Sequence, residues 1–203
     1  MRRDRLKMTG RRCRPAGITG RLVRRWLPAL ATLLLAPALW ADSSFDRTDE
    51  VKVAFILNIA RFVEWPAGQF RNGDQRLRLC IYRSNPFGSA IDTIRDKRVG
   101  GRMLRVETVR TAAEEHACNI LFVPPDELGR FTRENEDSTD RPLLTITDLT
   151  TGQRAWSERR NILVALVREG KRMGVEINLS AVQHSGLQIS SELLKLGRIV
   201  EKP

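Results

Sequence analysis

The chain predicts an α/β fold: one sandwich-like domain whose mixed, largely parallel sheet is flanked by helices, with an antiparallel hairpin added late. Three observations predict it. Ile120-Leu-Phe-Val123 is a continuous apolar run of the kind buried on both faces of a parallel sheet, and Leu143 to Ile146 is a second. Helical patterns separate the strand-like segments. Ile162 to Val167 and Arg172 to Ile177 flank a turn at Glu169-Gly170-Lys171, which reads as a hairpin.

Taken in order, Asp46 and Thr48 are N-cap residue types for a helix from Asp49 to about Trp65, stopped by Pro66. Apolar residues cover nearly its whole circumference, so it is expected to be buried on several sides or to meet a partner. Leu77, Leu79 and Ile81 alternate with Arg76, Arg78 and Cys80, the period of a strand. Asn85-Pro86 is expected to cap and start a helix through about Asp96. Gly100-Gly101 marks a turn, Met103 to Val109 a strand, and Ala112 to Cys118 a short helix. Pro124-Pro125-Asp126 ends the first apolar strand, and a helix follows to about Glu134. A short helix at Ser180 to His184 and a last one from about Ser190 to Val200 close the chain.

Charge is distributed unevenly. The whole chain carries +11, but Met1 to Ala41 hold ten Lys/Arg and one acid, so Asp42 to Pro203 keep 25 basic and 23 acidic side chains, a net of +2. Behind the basic stretch comes the apolar run Trp26 to Trp40, then Ala41-Asp42-Ser43-Ser44. Positive, apolar, small, polar is the order of a secretory signal peptide. About fifteen residues with Pro28 and Pro37 inside fall short of the roughly twenty that a spanning helix needs. Residues 1–41 are therefore expected to be a signal peptide cleaved after Ala41, with Ala38 the alternative site. Residues 42–48 read as a short linker and 49–203 as the domain, placed in the periplasm. The basic cluster would otherwise suggest nucleic acid, but it falls in the part expected to be removed.

Cys13 belongs to the leader, leaving Cys80 and Cys118 as an even pair in an oxidising compartment. They read as a structural disulfide, with two buried free thiols as the alternative. The sequence contains no Cys-x-x-Cys for redox chemistry.

Catalytic patterns are sparse. His116 and His184 have no second His or Cys at metal-ligand spacing, so no metal or cofactor is expected. Gly-x-Ser-x-Gly, Gly-x-Gly-x-x-Gly and phosphate-loop motifs are absent from the sequence. Ser190 and Ser191, followed by Glu192, read as helix capping. Glu114-Glu115 and Glu134/Glu136/Asp137 read as solvated surface charge. Asp148 follows Leu-Leu-Thr-Ile-Thr147, where a buried strand emerges at its carboxyl end. Ligand groups gather there in open α/β sheets, and a cap for the next turn is the alternative. The expectation is a protein that is not an enzyme.

Several stretches together resemble the YfiR family of exported regulators. They are Val51-Lys-Val-Ala-Phe-Ile-Leu-Asn58 through Trp65-Pro66, Leu79-Cys80-Ile81 with Asn85-Pro86-Phe87-Gly88, and Cys118-Asn-Ile-Leu-Phe-Val123. Leu144-Thr-Ile-Thr-Asp148, Glu176-Ile-Asn178-Leu and Gly186-Leu-Gln-Ile-Ser190-Ser191 complete the set. The resemblance implies a non-catalytic periplasmic domain that restrains an inner-membrane diguanylate cyclase, or another membrane sensor protein, by binding its periplasmic region. It further implies an outer-membrane, peptidoglycan-associated lipoprotein able to sequester the regulator, and it places the family's structural disulfide on Cys80 and Cys118. A homodimer is left open. The family's Gly-Phe and Gly-Gly-Met-Ile stretch is replaced here by Leu149 to Ile162, so this loop has diverged. Trp65, Trp156 and Asp148 are the residues expected to meet a partner, with ordinary packing as the alternative for each aromatic. The rival reading is a single-lobe, small-molecule-binding domain with Asp148 lining its cleft; a hydrolase is a weaker one.

Overall fold

The computed structural model describes residues 43–70, 76–135, 141–152 and 161–200. The expected leader and the loop residue Trp156 lie outside them.

Helix α1 spans Ser43–Arg61 and is followed by β1 (Val63–Glu64), β2 (Arg76–Tyr82), a 3-10 helix (Gly88–Ile94), β3 (Arg98–Val99) and β4 (Arg102–Val109). Then come α2 (Ala112–Glu115), β5 (Ile120–Val123), α3 (Leu128–Glu134), β6 (Leu144–Asp148), β7 (Val164–Glu169) and β8 (Arg172–Asn178). The chain continues through α4 (Leu179–Ser185), β9 (Gln188–Ile189), α5 (Ser191–Leu196) and β10 (Arg198–Val200). Eight strands form one sheet in the order β10-β8-β7-β6-β5-β2-β4-β3. Its pairs are parallel except for β3 with β4 and β7 with β8. The expected mixed, largely parallel α/β architecture is what forms.

Strand alternation divides the core into two layers. Leu77, Leu79 and Ile81 of β2, with Ile120, Phe122, Leu144, Ile146 and Ile177, meet α1, the 3-10 helix, α4 and α5. Cys80, Tyr82, Leu121, Val123 and Ala165 point the other way, onto Leu128 and Phe131 of α3. Both faces of β5 and of the first part of β7 are covered, which is why Ile120–Val123 and Val164–Val167 are apolar without a polar alternation.

The helix α2 ends at Glu115 rather than Cys118, and β6 and β7 end two residues later than expected. Four further boundaries differ, each for a local reason. The helix α1 begins at Ser43, so residues 43–48, read as a linker, form its first turns, and Asp46 and Thr48 lie inside it. It stops at Arg61 rather than Trp65. Pro66 forces Trp65 out of the helical region, and the extended chain before it pairs with β9, Val63 opposite Ile189. After β2, Asn85 accepts from the Phe87 N–H at 3.0 Å and donates to the Gly88 carbonyl at 2.9 Å. Gly88 is left-handed (φ 53°), so no α-helix propagates from Pro86, and a 3-10 helix forms instead. The last helix stops at Leu196, where the Gly197 N–H bonds to the Leu193 carbonyl. Arg198–Val200 then joins the sheet parallel to β8, and Arg198 forms an ion pair with Glu176.

The helix α1 buries Val53, Ile56, Leu57, Ile59 and Ala60, but Ala54, Asn58 and 46% of Val51 face outward. Its apolar girdle is thus only partly covered.

Candidate functional site

The strand β6 carries the Leu-Thr-Ile-Thr-Asp run, and each of its polar groups has a bonding task. The Thr145 hydroxyl donates to the Asn161 carbonyl at 2.7 Å and accepts from the Leu163 N–H at 3.0 Å, tying β6 to the entry of β7. The Thr147 hydroxyl donates to the Val123 carbonyl at 2.8 Å, tying β6 to β5. Asp148 is buried at the carboxyl end of the strand. Its Oδ1 accepts from the Thr150 N–H at 2.9 Å and from the Thr150 hydroxyl at 2.7 Å, the capping arrangement weighed as its alternative role. Its Oδ2 lies 2.8 Å from Lys52 Nζ of α1. Lys52 also reaches Asp49 at 3.5 Å. The reading from sequence missed Lys52, although a lone cation among apolar helix residues is a signal that a buried acid awaits it.

Trp65 is half-buried and packs against the first core layer. Its Nε1–H donates to the Asn119 carbonyl at 3.3 Å, and its ring meets Phe70 edge-on at 6.5 Å. Asn119 is itself a junction. Its side-chain oxygen accepts from the Arg78 N–H at 2.9 Å, its own N–H bonds to the Arg78 carbonyl, and its carbonyl also accepts from the Leu144 N–H. Trp65 therefore closes over the point where β2, β5 and β6 are joined.

Cys80 of β2 and Cys118, just before β5, form a disulfide with Cα atoms 5.9 Å apart. Free buried thiols, the alternative, are excluded by this bond. It lies in the second core layer beside a buried polar group read wrongly from the sequence. Glu115, expected to be solvated, has no exposed surface, because the short helix α2 turns it inward under Arg141. Arg141 donates to the Glu115 carbonyl at 2.8 Å and lies 3.4 Å from its Oε2. Oε1 is buried without a hydrogen-bond partner among the described residues. Burial pushes the Glu115 carboxyl up to about 7, against the pull of Arg141. Burial likewise lifts the Tyr82 hydroxyl to about 12, helped by its 2.5 Å hydrogen bond to Glu134. Glu114 is exposed as expected, whereas Glu136 and Asp137 fall outside the described residues.

Neither histidine has a catalytic setting. His116 is exposed at the end of α2, and His184 is exposed with Nδ1 2.7 Å from the Ser180 carbonyl. Ser190 caps α5 by accepting from the Leu193 N–H at 3.3 Å. Among the described residues, no group of three or more His, Cys, Asp or Glu side chains could hold a metal ion. No helix among them is long and apolar enough to cross a membrane. Asp148, Trp65 and the cystine are held by contacts inside the domain, and these contacts do not converge on one reactive centre.

These features define a disulfide-linked α/β domain with helices on both sides of an open sheet. Its sequence motifs serve mainly to join strands. The chain belongs to the YfiR/HmsC-like family (DUF4154), whose model matches residues 49–198. At the level of the family, this is a class of periplasmic regulators of diguanylate cyclase. No curated protein matches the chain.

Proposed function

We propose that this protein is exported through its cationic leader, is not an enzyme, and binds the periplasmic sensor region of an inner-membrane diguanylate cyclase to hold it inactive. The family match over residues 49–198 is the observation that carries the reading. The cystine between Cys80 and Cys118 supports an oxidising compartment. Regulation of this kind needs only differential affinity. The regulator binds the inactive conformation of its partner more tightly, and a few kcal/mol shifts the population.

The exposed stripe Val51, Ala54 and Asn58 of α1, with Trp65, is the surface we assign to the partner. Asp148 holds Lys52 of the same helix, and Trp156, outside the described residues, is kept as a further candidate contact from the sequence. Deleting the gene should raise cellular cyclic di-GMP, and periplasmic expression should restore the lower level. Affinity capture from solubilised membranes should recover a protein with a cyclase output domain. An outer-membrane lipoprotein or a second copy of the chain would be recovered in the same experiment. Unchanged cyclic di-GMP in the deletion strain, with no cyclase captured, overturns the reading.

A further inference from the structure

At the carboxyl ends of β6 and β7 lies a cleft of about 310 Å³, bounded by α1, by the segment after β6, and by the β7–β8 hairpin. Arg47, Arg168, Lys171 and Arg172 line it together with Thr48 and Thr150, over an apolar floor of Val51 and Met173. Among the described residues, the lining contains four cations and no carboxylate.

The charge of these four is not offset locally. Among the described residues, Arg47, Lys171 and Arg172 have no ion-pair partner. Arg168 donates through Nε to the Thr150 carbonyl at 3.4 Å, an interaction that positions its guanidinium without neutralising it. Of the acids near these cations, Asp49 of α1 pairs with Lys52 and Glu50 forms no ion pair with Arg47 among the described residues, and Asp148 and Glu169 are engaged elsewhere. Asp148 is paired with Lys52 and bonded to Thr150. Glu169 is opposite Arg172 in the hairpin register, yet it folds across Gly174, its carboxyl carbon 2.6 Å from where a Cβ would stand. The absence of a side chain at Gly174 makes room for that turn away from the cleft.

Four like charges around one concavity repel one another, and a bound anion removes that penalty. Guanidinium groups present paired N–H donors that match phosphate and carboxylate oxygens. The volume is at the lower end for small-molecule sites, and the position outside the carboxyl ends of sheet strands is where open α/β sheets bind ligands. We propose that this cleft is a binding site for a small, multiply charged organic anion bearing phosphate or carboxylate groups, its carbon skeleton resting on Val51 and Met173. The inference does not depend on the cyclase reading. It would hold for any partner.

The test is calorimetric titration of the protein, produced from the full-length gene, with pyrophosphate, citrate and acetate at constant ionic strength. Pyrophosphate or citrate should bind saturably with a dissociation constant below about 1 mM, and acetate should not. The double variant Lys171→Ser/Arg172→Ser changes two exposed residues and should weaken that binding about tenfold or more. Lys195→Ser, which lies outside the cleft, should leave it unchanged. Unfolding midpoints measured without anion establish that both variants are folded. Absence of saturable binding by either polyanion overturns the proposal, as does binding that the double variant retains in full. Capture by phosphatidylglycerol vesicles without any free-anion titration would also overturn it, in favour of a lipid surface.

Discussion

Lys52 Nζ lies 2.8 Å from Asp148 Oδ2, joining the first helix to the carboxyl end of the central strand β6 across nearly a hundred residues of sequence. Their side chains are only 15% and 9% exposed, so neither charge is well solvated without the other. Lys52→Met leaves the acid buried and should destabilise the domain by about 2–3 kcal/mol. Asp148→Asn keeps an oxygen for Thr150 but loses the ion pair, and combining the two changes should cost less than their sum. Urea unfolding of both single variants and the double variant measures the coupling. Additive losses would show that the pair contributes nothing as a pair.

The cystine closes a 38-residue separation. Constraining the unfolded chain by that amount is worth about 4 kcal/mol in the chain-entropy model. Cys80→Ser/Cys118→Ser should lower the urea midpoint accordingly. Reducing agent should lower the midpoint of the parent protein but leave the double variant unaffected.

Stability should depend on pH through Glu115. Its folded-state value of about 7 lies above the ordinary 4.5, so the folded protein holds this proton more tightly than the unfolded chain does. The unfolded state binds fewer protons between those values, and this group's contribution therefore declines as pH rises from about 4.5 to about 7 and is level above that. The slope contributed is at most about 1.4 kcal/mol per pH unit. Glu115→Gln should remove this component, measured as unfolding free energy at pH 5 and pH 8. A parent and variant that differ equally at both values would refute it.

Trp65 offers a way to separate packing from recognition. Trp65→Phe keeps an aromatic body but loses the donor to the Asn119 carbonyl. One part-buried hydrogen bond is worth about 1 kcal/mol, so the unfolding midpoint should fall slightly. If Trp65 also meets the cyclase, capture should weaken by much more than the population of folded protein does. Equal loss of both would assign it to packing alone.

Gly197 ends α5 with its Hα facing the core. A Cβ there would stand 2.7 Å from Ile177 Cδ1. Gly197→Ala should cost about 1–3 kcal/mol through overpacking, read in the same unfolding assay. The Gly197→Ala/Ile177→Val pair should recover part of the loss.

Local pattern determined the longer strands β2 and β4 to β8 and their order along the chain. Strands covered on both faces are rich in apolar residues, and Ile120–Val123 and Leu143 to Ile146 each read as a buried strand in the sequence. The short strands β1, β3, β9 and β10 are not legible there. Local pattern also determined the capping role of Ser190, which depends on a backbone group three residues away; the like role of Asn178 emerged only in the structure. The cysteine count pointed to the disulfide for a similar reason: two residues leave only one pairing. The tertiary structure alone decided where charges went. Glu115 is the very next residue after exposed Glu114, and only the packing of α2 under Arg141 buries one and solvates the other. Lys52 found Asp148, and Arg47 came to face Arg168, Lys171 and Arg172, because the folded sheet brings α1 beside the ends of β6 and β7. Ionic contacts act through space between residues distant in sequence, and one-dimensional periodicity carries no information about that distance.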